Sequence, residues 1–189
     1  MEKPMVKEPL ITNDYQVQNG AARKAFLESA EPVAQDVQRL GIQLGQNGIG
    51  DLMTMPEARE RALPVLANHL ERDGYTPWVR AHMARLMAIR AASPYWYRLR
   101  DLYLREAEFH PLDAFADALA VSARQEHLEG LQSLFGYRNR GTSRALLIPA
   151  VLRVGGDEGR TFVESLRDDP DIGREALAQL QRRRPRNKK

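Results

Sequence analysis

Prolines recur at equal intervals through the middle of the chain. Pro77, Pro94 and Pro111 are each 17 residues apart, and the first two follow Thr76 and Ser93. Proline is favoured in the first turn of a helix, because its missing N–H would have no partner there. Apolar residues recur at helical spacing after each proline. A new helix every 17 residues predicts helix hairpins of about 34 residues, a length typical of repeat arrays.

The stretch from Val151 to Arg183 contains the clearest unit of this pattern. Two glycines end one helix, Asp157 can cap a short second helix, and Asp169 can cap a third helix that starts at Pro170. The two short helices carry apolar stripes at helical spacing, namely Phe162, Val163 and Leu166, then Ile172, Ala176, Leu177 and Leu180. Neither helix could bury its stripe alone, so the stretch is interpreted as one unit of a stack.

The same signals place the other helices. Three of the other predicted helices are Ala21–Glu28, Gln125–Phe135 and Thr142–Val154. Another is capped by Ser29 and has Pro32 in its first turn. Four more start at or next to Pro56, Pro77, Pro94 and Pro111. Pro64 and Pro149 lie inside predicted helices, and each is expected to kink its helix or to move its start. The glycine-rich Gly45–Gly50 follows a helix rather than a strand, so it is predicted to be a loop and not a nucleotide-binding fingerprint.

Composition restricts the kind of protein. With 189 residues, 43% apolar residues and only 7% aromatics, the chain predicts one helical domain with an aliphatic core. The absence of cysteine excludes disulfides, thiolate metal sites and cysteine nucleophiles. We find no apolar signal segment at the start and no run of about 18 apolar residues that could cross a membrane. A cytoplasmic protein is therefore expected.

The chain is expected to divide into four parts. These are a flexible arm over residues 1–19, an N-terminal helical cap over 20–53, helix pairs over 54–183 and a basic tail over 184–189. The net charge of +3 and the pI near 9.3 depend on the end of the chain, because the last eight residues carry six positive charges. Residues 1–181 therefore carry a net charge of −3, and the basic pI is weak evidence for a nucleic-acid-binding fold.

Two segments resemble a known family. Gly156–Leu180 resembles a HEAT repeat of the short, phycobilisome-lyase-like type, and Ala62–Leu86 resembles the longer HEAT form. The longer form has a proline that kinks the first helix, an Asp in the turn and a Val-Arg pair that opens the second helix, here Pro64, Asp73 and Val79-Arg80. The resemblance implies an all-α fold, a short right-handed solenoid of about four antiparallel helix pairs. It also implies a concave surface, formed by the second helices, that grips a partner.

Exposed positions of the second helices are the first candidates for binding. They are Arg80, Arg85, Asp113, Asp117, Arg144 and Arg153, with Arg174 near the end of the stack. One interpretation is a mixed-charge concave surface that docks a protein. The other is structural: Arg80 would pair with Asp73, Arg174 would pair with an Asp of 168–171, and the remaining residues would form an ordinary solvated face.

The densest aromatic and basic segment is Pro94–Arg105. Trp96, Leu99 and Tyr103 share one face and are predicted to be core, whereas Tyr95, Tyr97, Arg98 and Arg100 point elsewhere. Tyr and Arg are enriched at binding hot spots, and aromatic rings beside Arg also suit single-stranded nucleic acid. Packing against a neighbouring repeat explains the same residues without any ligand.

Signals for catalysis, metals and cofactors are absent. The four histidines have no metal-ligand spacing, and no G-x-S-x-G or phosphate-binding glycine loop occurs. Alkylpurine DNA glycosylases also use HEAT-like repeats, and that resemblance requires a tryptophan followed one turn later by Asp. Here His82 follows Trp78 and Arg100 follows Trp96 at that spacing. We therefore expect no enzyme activity, no cofactor and no metal site, and we find no residue that supports bilin-lyase chemistry.

The sequence leaves two functions open. The first is a non-catalytic HEAT-like scaffold that binds a protein partner as an adaptor, a regulator or an immunity-type inhibitor. The second is a nucleic-acid-binding module that uses the basic tail and a set of arginines, namely Arg80, Arg98, Arg100, Arg144 and Arg153. The excess of Arg over Lys, 23 against 5, is associated with GC-rich genomes and indicates a bacterial source.

Overall fold

The structure is a computed structural model that describes residues 20–182, and in this range the chain forms helices and no strand. The all-α prediction is confirmed. The α-helices are α1 Gly20–Gln38, α2 Pro56–Leu70, α3 Pro77–Leu86, α4 Trp96–Arg105, α5 Phe109–Ser122, α6 Leu128–Leu134, α7 Ile148–Val154, α8 Gly156–Ser165 and α9 Gly173–Arg182. Between them lie 3₁₀ helices over Gly48–Thr54, Arg90–Tyr95, Gln125–His127 and Arg138–Leu147. The predicted arm (1–19) and tail (184–189) lie outside the described residues.

The largest error in the predicted helices is at the start. The sequence predicted two helices separated at Ser29, whereas α1 runs unbroken through Pro32. A proline inside a helix removes one backbone hydrogen bond and crowds the preceding turn, at a cost of about 3 kcal/mol that other contacts must offset. The partly buried Phe26 and the buried Ala30, Val33 and Val37 lie on the two sides of Ser29, and α1 packs on α2 and α3. This tertiary packing keeps the helix continuous.

The start of α3 is as predicted. Thr76 is its N-cap, and the side-chain hydroxyl oxygen accepts a hydrogen bond from the backbone N–H of Val79 at 3.4 Å. The start of α4 is displaced, because Pro94 lies inside a 3₁₀ helix and α4 begins only at Trp96. Pro149 lies in the first turn of α7, so this proline moves the start of its helix rather than kinking it.

The caps predicted in the last unit are only partly correct. Asp157 makes no side-chain cap, because α8 already begins at Gly156, whose φ of 53° favours glycine. Asp169 accepts hydrogen bonds from the N–H groups of Asp171 and Ile172, but α9 begins only at Gly173. A Cβ at residue 173 would lie 2.2 Å from the carbonyl oxygen of Arg167, so the chain approaches itself too closely there for any other residue.

The helices pack mainly on their neighbours along the chain. Contacts join α2 to α3, α4 to α5, α6 to α7 and α8 to α9, while α5 also packs on α3, on α7 and on the 3₁₀ helix Arg138–Leu147. The core is mainly aliphatic, as expected, and Trp96, Tyr103 and Phe115 are its largest aromatic members. In residues 20–182, no helix is long and apolar enough to span a bilayer. On α3 and α5, Trp78, Phe109 and Asp117 remain exposed.

Candidate interaction surface

Three predicted binding residues come together on the outer side of α3 and α5. Asp117 is exposed, whereas Asp113 and Arg85 are half-buried, and Arg85 is close enough to influence the ionisation of both carboxyls. Loss of water around the two carboxyls raises the pKa of each, the charge of Asp113 raises the pKa of Asp117 further, and Arg85 opposes both shifts. These carboxylates are incompletely compensated and would gain from an approaching cation.

An exposed aromatic cluster continues this surface toward the N-termini of the same helices. The Trp78 ring stacks on the His110 ring, with centroids 4.4 Å apart, and Phe109 meets His110 edge-on at 5.9 Å. Trp78 is 49% exposed and Phe109 is 61% exposed. His110 also acts electrostatically on Asp113, so the aromatic and charged parts are contiguous. We call the whole set the α3–α5 face: Trp78, Arg85, Phe109, His110, Asp113 and Asp117.

The sequence interpretation missed the aromatic part of this face. It treated Trp78 only as a failed match to a glycosylase pattern, and it considered the histidines, His110 among them, only for metal-ligand spacing. The missed signal is that Trp78 and Phe109 stand beside the apolar stripes of their helices and not in them. Val79 in α3 and Leu112 in α5 occupy the stripes and are buried. A large aromatic off the stripe is costly to leave in water, and it therefore indicates a contact surface.

Arg144 was predicted to be exposed, and this prediction is wrong. Its side chain is fully buried, with Nη1 bonded to Asp169 at 3.0 Å and Nη2 to Asp171 at 2.8 Å. The guanidinium also donates to the carbonyl oxygens of Phe135 and Gly141 at 2.9 and 3.0 Å. A buried charge is tolerable only when it is paired and fully hydrogen-bonded, and this arginine meets both conditions. Arg144 therefore belongs to the core and not to a binding surface.

Arg80 is also used inside the fold, although its partner differs from the predicted Asp73. Its guanidinium bonds the Glu106 carboxylate at 3.0 Å and the carbonyl oxygen of Leu70 at 3.2 Å. Glu106 is itself buried and accepts N–H bonds from Ala107 and Glu108. The pair links α3 to the loop before α5. Arg174 was the arginine expected to pair with an Asp of 168–171, but it is Arg144 that bonds Asp169 and Asp171.

The aromatic and basic segment of α4 divides into paired and exposed members. Arg98 bonds Glu71 at 2.7 Å and Asn68 at 3.0 Å, with the half-buried Tyr95 5.8 Å from its guanidinium carbon. The hydrogen bond and charge of Arg98 lower the pKa of Glu71.

The other two members of that segment lie farther out. Arg100 bonds the neighbouring Asp101 at 2.8 Å and lies over the Tyr97 ring at 5.1 Å. Tyr97 is 52% exposed. Tyr95 and Arg98 thus serve packing between α2 and α4, whereas Tyr97 remains available to a ligand.

Arg153 is exposed, as predicted, but its guanidinium is engaged. It donates hydrogen bonds to the carbonyl oxygens of Ala120 and Ala123, at the C-terminal end of α5. Free carbonyls at a helix C-terminus carry partial negative charge, so a cation there is stabilising. Arg153 therefore joins α7 to α5 and contributes little free charge to a surface.

One hydrogen-bonded chain could be mistaken for a catalytic relay. The buried His69 ring accepts the Tyr75 hydroxyl at Nδ1, and its Nε2 donates to Asp36 at 2.8 Å. This bond is the main reason that the pKa of Asp36 is lowered, and burial raises the pKa of Tyr75. Since the Tyr75 hydroxyl and the Asp36 carboxylate both bond the His69 ring, the chain ties α1 to α2. Among residues 20–182, no cluster of acidic and histidine side chains could hold a metal ion.

No family model, curated protein or solved structure matches the chain. The site is therefore assigned from its own residues.

Proposed function

We propose that this protein is a non-catalytic HEAT-like scaffold that binds a protein partner through the α3–α5 face. The observation that carries the proposal is the exposure of Trp78 and Phe109 beside half-desolvated charges. Aromatic residues at the centre of such a patch, with charged residues at its edge, are the usual composition of a protein-binding hot spot. An adaptor, a regulator or an immunity-type inhibitor would use the face in this way.

The proposal includes a short right-handed solenoid in which α2/α3, α4/α5, α6/α7 and α8/α9 are four layers and α1 is the cap. Contacts between elements adjacent along the row support it. So does the recurrence of one ion pair. Arg80 and Arg144 lie 64 residues apart, about two repeats, and each bonds an acidic residue in the loop inside the next helix pair. On this model the α3–α5 face lies on the concave side, where HEAT-like proteins hold partners.

The structure weakens the nucleic-acid alternative, because the arginines predicted to bind nucleic acid are engaged within the fold. Arg144 is buried, Arg80, Arg98 and Arg100 have carboxylate partners, and Arg153 bonds helix carbonyls. Paired arginines release few counterions from a phosphate backbone, and so they add little affinity for it. Nucleic-acid binding by this predicted set of residues would therefore depend on the basic tail and not on its five arginines.

Affinity capture from the native organism tests the proposal. The bait is the full chain, compared with a variant carrying Trp78→Ala and Phe109→Ser. A control variant carries Tyr137→Ser and Leu177→Ser, two exposed apolar residues away from the face that are 46% and 39% exposed. A specific partner should remain with the control and disappear with the first variant.

Titration with the purified partner then gives the size of the effect. Removing Trp78 should weaken binding by at least about 2 kcal/mol, roughly thirtyfold, as for a central hot-spot tryptophan. Two results would exclude the α3–α5 face as the binding site. In the first, the Trp78→Ala/Phe109→Ser variant binds the partner as well as the control variant does. In the second, affinity depends only on the basic tail.

A further inference from the structure

A second candidate site lies on another part of the surface, in a cleft between two 3₁₀ helices. The cleft has a volume of about 540 Å³ and is bordered by Arg90–Tyr95 on one side and Gln125–His127 on the other. This volume lies in the range of small-molecule sites. Its polar lining contains Arg90, Arg124, Tyr97 and His127, and Glu126 stands at the same edge. None of these residues belongs to the α3–α5 face.

The two arginines of the cleft differ from the arginines described above. Arg90 and Arg124 are exposed, and neither forms an ion pair with a carboxylate in the described part of the chain. The Arg124 guanidinium bonds the carbonyl oxygen of Arg90 at 3.3 Å, which keeps the two residues adjacent. Two arginines that line one cleft and have no carboxylate partner there are suited to an anion with several oxygen acceptors, since each guanidinium can donate two parallel hydrogen bonds.

His127 adds a donor of fixed tautomer. The backbone N–H of Arg124 donates to Nδ1 of His127 at 2.9 Å, so the neutral ring carries its proton on Nε2. Burial lowers the pKa of this histidine, which favours the neutral form. The ring is also held in place, because it stacks on the buried Trp96 with centroids 4.7 Å apart. The cleft thus has a rigid floor.

Tyr97 supplies an aromatic wall. Its ring is 52% exposed, and it contacts the Trp96 and His127 rings edge-on at 5.2 and 5.5 Å. Arg100 lies over the ring at 5.1 Å. An exposed tyrosine supported by aromatic and cationic neighbours can stack a nucleobase, because every base has an aromatic face.

We propose that this cleft binds a nucleotide unit, with a phosphate on Arg90 and Arg124 and the base against Tyr97. A free nucleotide and the exposed base of a single strand have this chemistry in common. The proposal is independent of protein binding through the α3–α5 face. Glu126 lowers the affinity of the cleft for a phosphate, because its carboxylate lines the same cleft and repels an anion.

Isothermal titration of the full chain tests the proposal with three probes: inorganic phosphate, ADP and a thymidine decamer. ADP or the decamer should bind more tightly than phosphate. The double variant Arg90→Ala/Arg124→Ala should weaken binding at least tenfold, and Tyr97→Leu should weaken ADP and decamer binding but not phosphate binding. Glu126→Gln should strengthen binding of all three. The control Arg138→Ala/Arg167→Ala removes two exposed arginines elsewhere and should change nothing.

Further comparisons show whether the ligand is a free nucleotide or a single strand, and which results contradict the proposal. Binding of ADP alone assigns the site to a free nucleotide, and binding of the decamer alone assigns it to a single strand. The ring signals of His127 and the amide signal of Arg124 should shift on titration by NMR. Three outcomes would overturn the proposal. No probe binds, or the Arg90→Ala/Arg124→Ala variant binds as tightly as the wild type, or binding disappears only when the basic residues of 183–189 are replaced by Gln.

Discussion

Two helix junctions of this molecule bury polar side chains, and the side chains differ in their chemistry. Where α1 meets α2 and α3, the buried polar groups are histidines: His69 bonds Asp36 and Tyr75, and His82 packs against the Phe26 ring at 5.2 Å. Where the 3₁₀ helix Arg138–Leu147 meets the loop between α8 and α9, the buried polar group is the Arg144 guanidinium, bonded to Asp169 and Asp171. Both junctions join helices to one another, and both place polar side chains away from water.

The difference lies in charge. An imidazole can enter a core in its neutral form and then costs little desolvation, but it becomes unfavourable when it is protonated. A guanidinium keeps its charge at every pH at which proteins fold, so it must bring its counter-charges with it. The N-terminal junction should therefore respond to mild acid, and the C-terminal junction should respond to loss of an ion-pair partner.

The largest expected effect is from Arg144→Ala. It leaves two aspartates without their cation and two carbonyls without a donor, and breaking a buried pair typically costs about 3–5 kcal/mol. Urea denaturation followed by circular dichroism measures the loss. The control Arg138→Ala removes an exposed arginine and should change stability by less than about 0.5 kcal/mol. Equal stability of the two variants would show that the C-terminal junction does not depend on its ion pair.

Acidification should produce the next largest effect, through His82. Burial lowers the pKa of His82 from 6.5 to about 4. Its neutral form is favoured in the folded state, so the associated stability is complete above pH 6.5 and is lost as pH falls toward 4. The loss is on the order of 3 kcal/mol. Unfolding free energy measured between pH 7 and pH 4 tests this, and His82→Leu should have a flatter profile. Parallel profiles would contradict it.

The C-terminal junction should respond in a lower pH range. Burial alone would raise the pKa of Asp169, but hydrogen bonds from Arg144 and from the N–H groups of Asp171 and Ile172 hold it below the ordinary 3.8. The stabilisation is present above pH 3.8 and is lost as pH falls through the lowered value. Arg144→Met should remove most of this low-pH dependence while the dependence between pH 6.5 and 4 remains.

A smaller effect is expected from Tyr75→Phe. The change removes the hydroxyl that donates to Nδ1 of the buried His69 and leaves that nitrogen without its partner, which costs about 1 kcal/mol. Thermal unfolding of the variant beside wild type measures it. A cost as large as that of Arg144→Ala would mean that the histidine junction is as sensitive to a lost partner as the arginine junction.

The smallest effect on stability is expected from Phe109→Ser, which lies outside both junctions. Phe109 is 61% exposed, and a surface substitution of this kind changes the unfolding free energy by about 0.5 kcal/mol or less. The same change should reduce affinity for a protein partner. A large loss of stability would show that the α3–α5 face serves the fold instead of binding.

Much of the helical layout was predictable because it depends on local signals. The Thr76-Pro77 start, the aliphatic stripe of α3 and the glycine turn at residues 155–156 follow from capping and spacing alone. The errors occurred where neighbours in space override such signals. Pro32 lies inside α1 because residues on both sides of it are buried together, and Pro94 lies in a 3₁₀ helix beneath α5.

The candidate sites were less predictable, because they depend on which side chains find partners. Arg80, Arg98 and Arg144 have the same chemistry as Arg90 and Arg124, and spacing could not distinguish the engaged arginines from the exposed ones. Each engaged arginine has a partner 25 to 27 residues away in sequence. Such a contact is known only once the helices are placed together in space.

By itself the sequence determined that this chain is helical, that its core is aliphatic and where many of its helices begin. Those properties follow from interactions within one or two helical turns. Only the tertiary structure decided that Arg144 is buried, that the Trp78 and His110 rings stack at the surface, and that Arg90, Arg124 and Tyr97 line one cleft. Burial and pairing are properties of the space between helices, and short-range periodicity carries no information about that space.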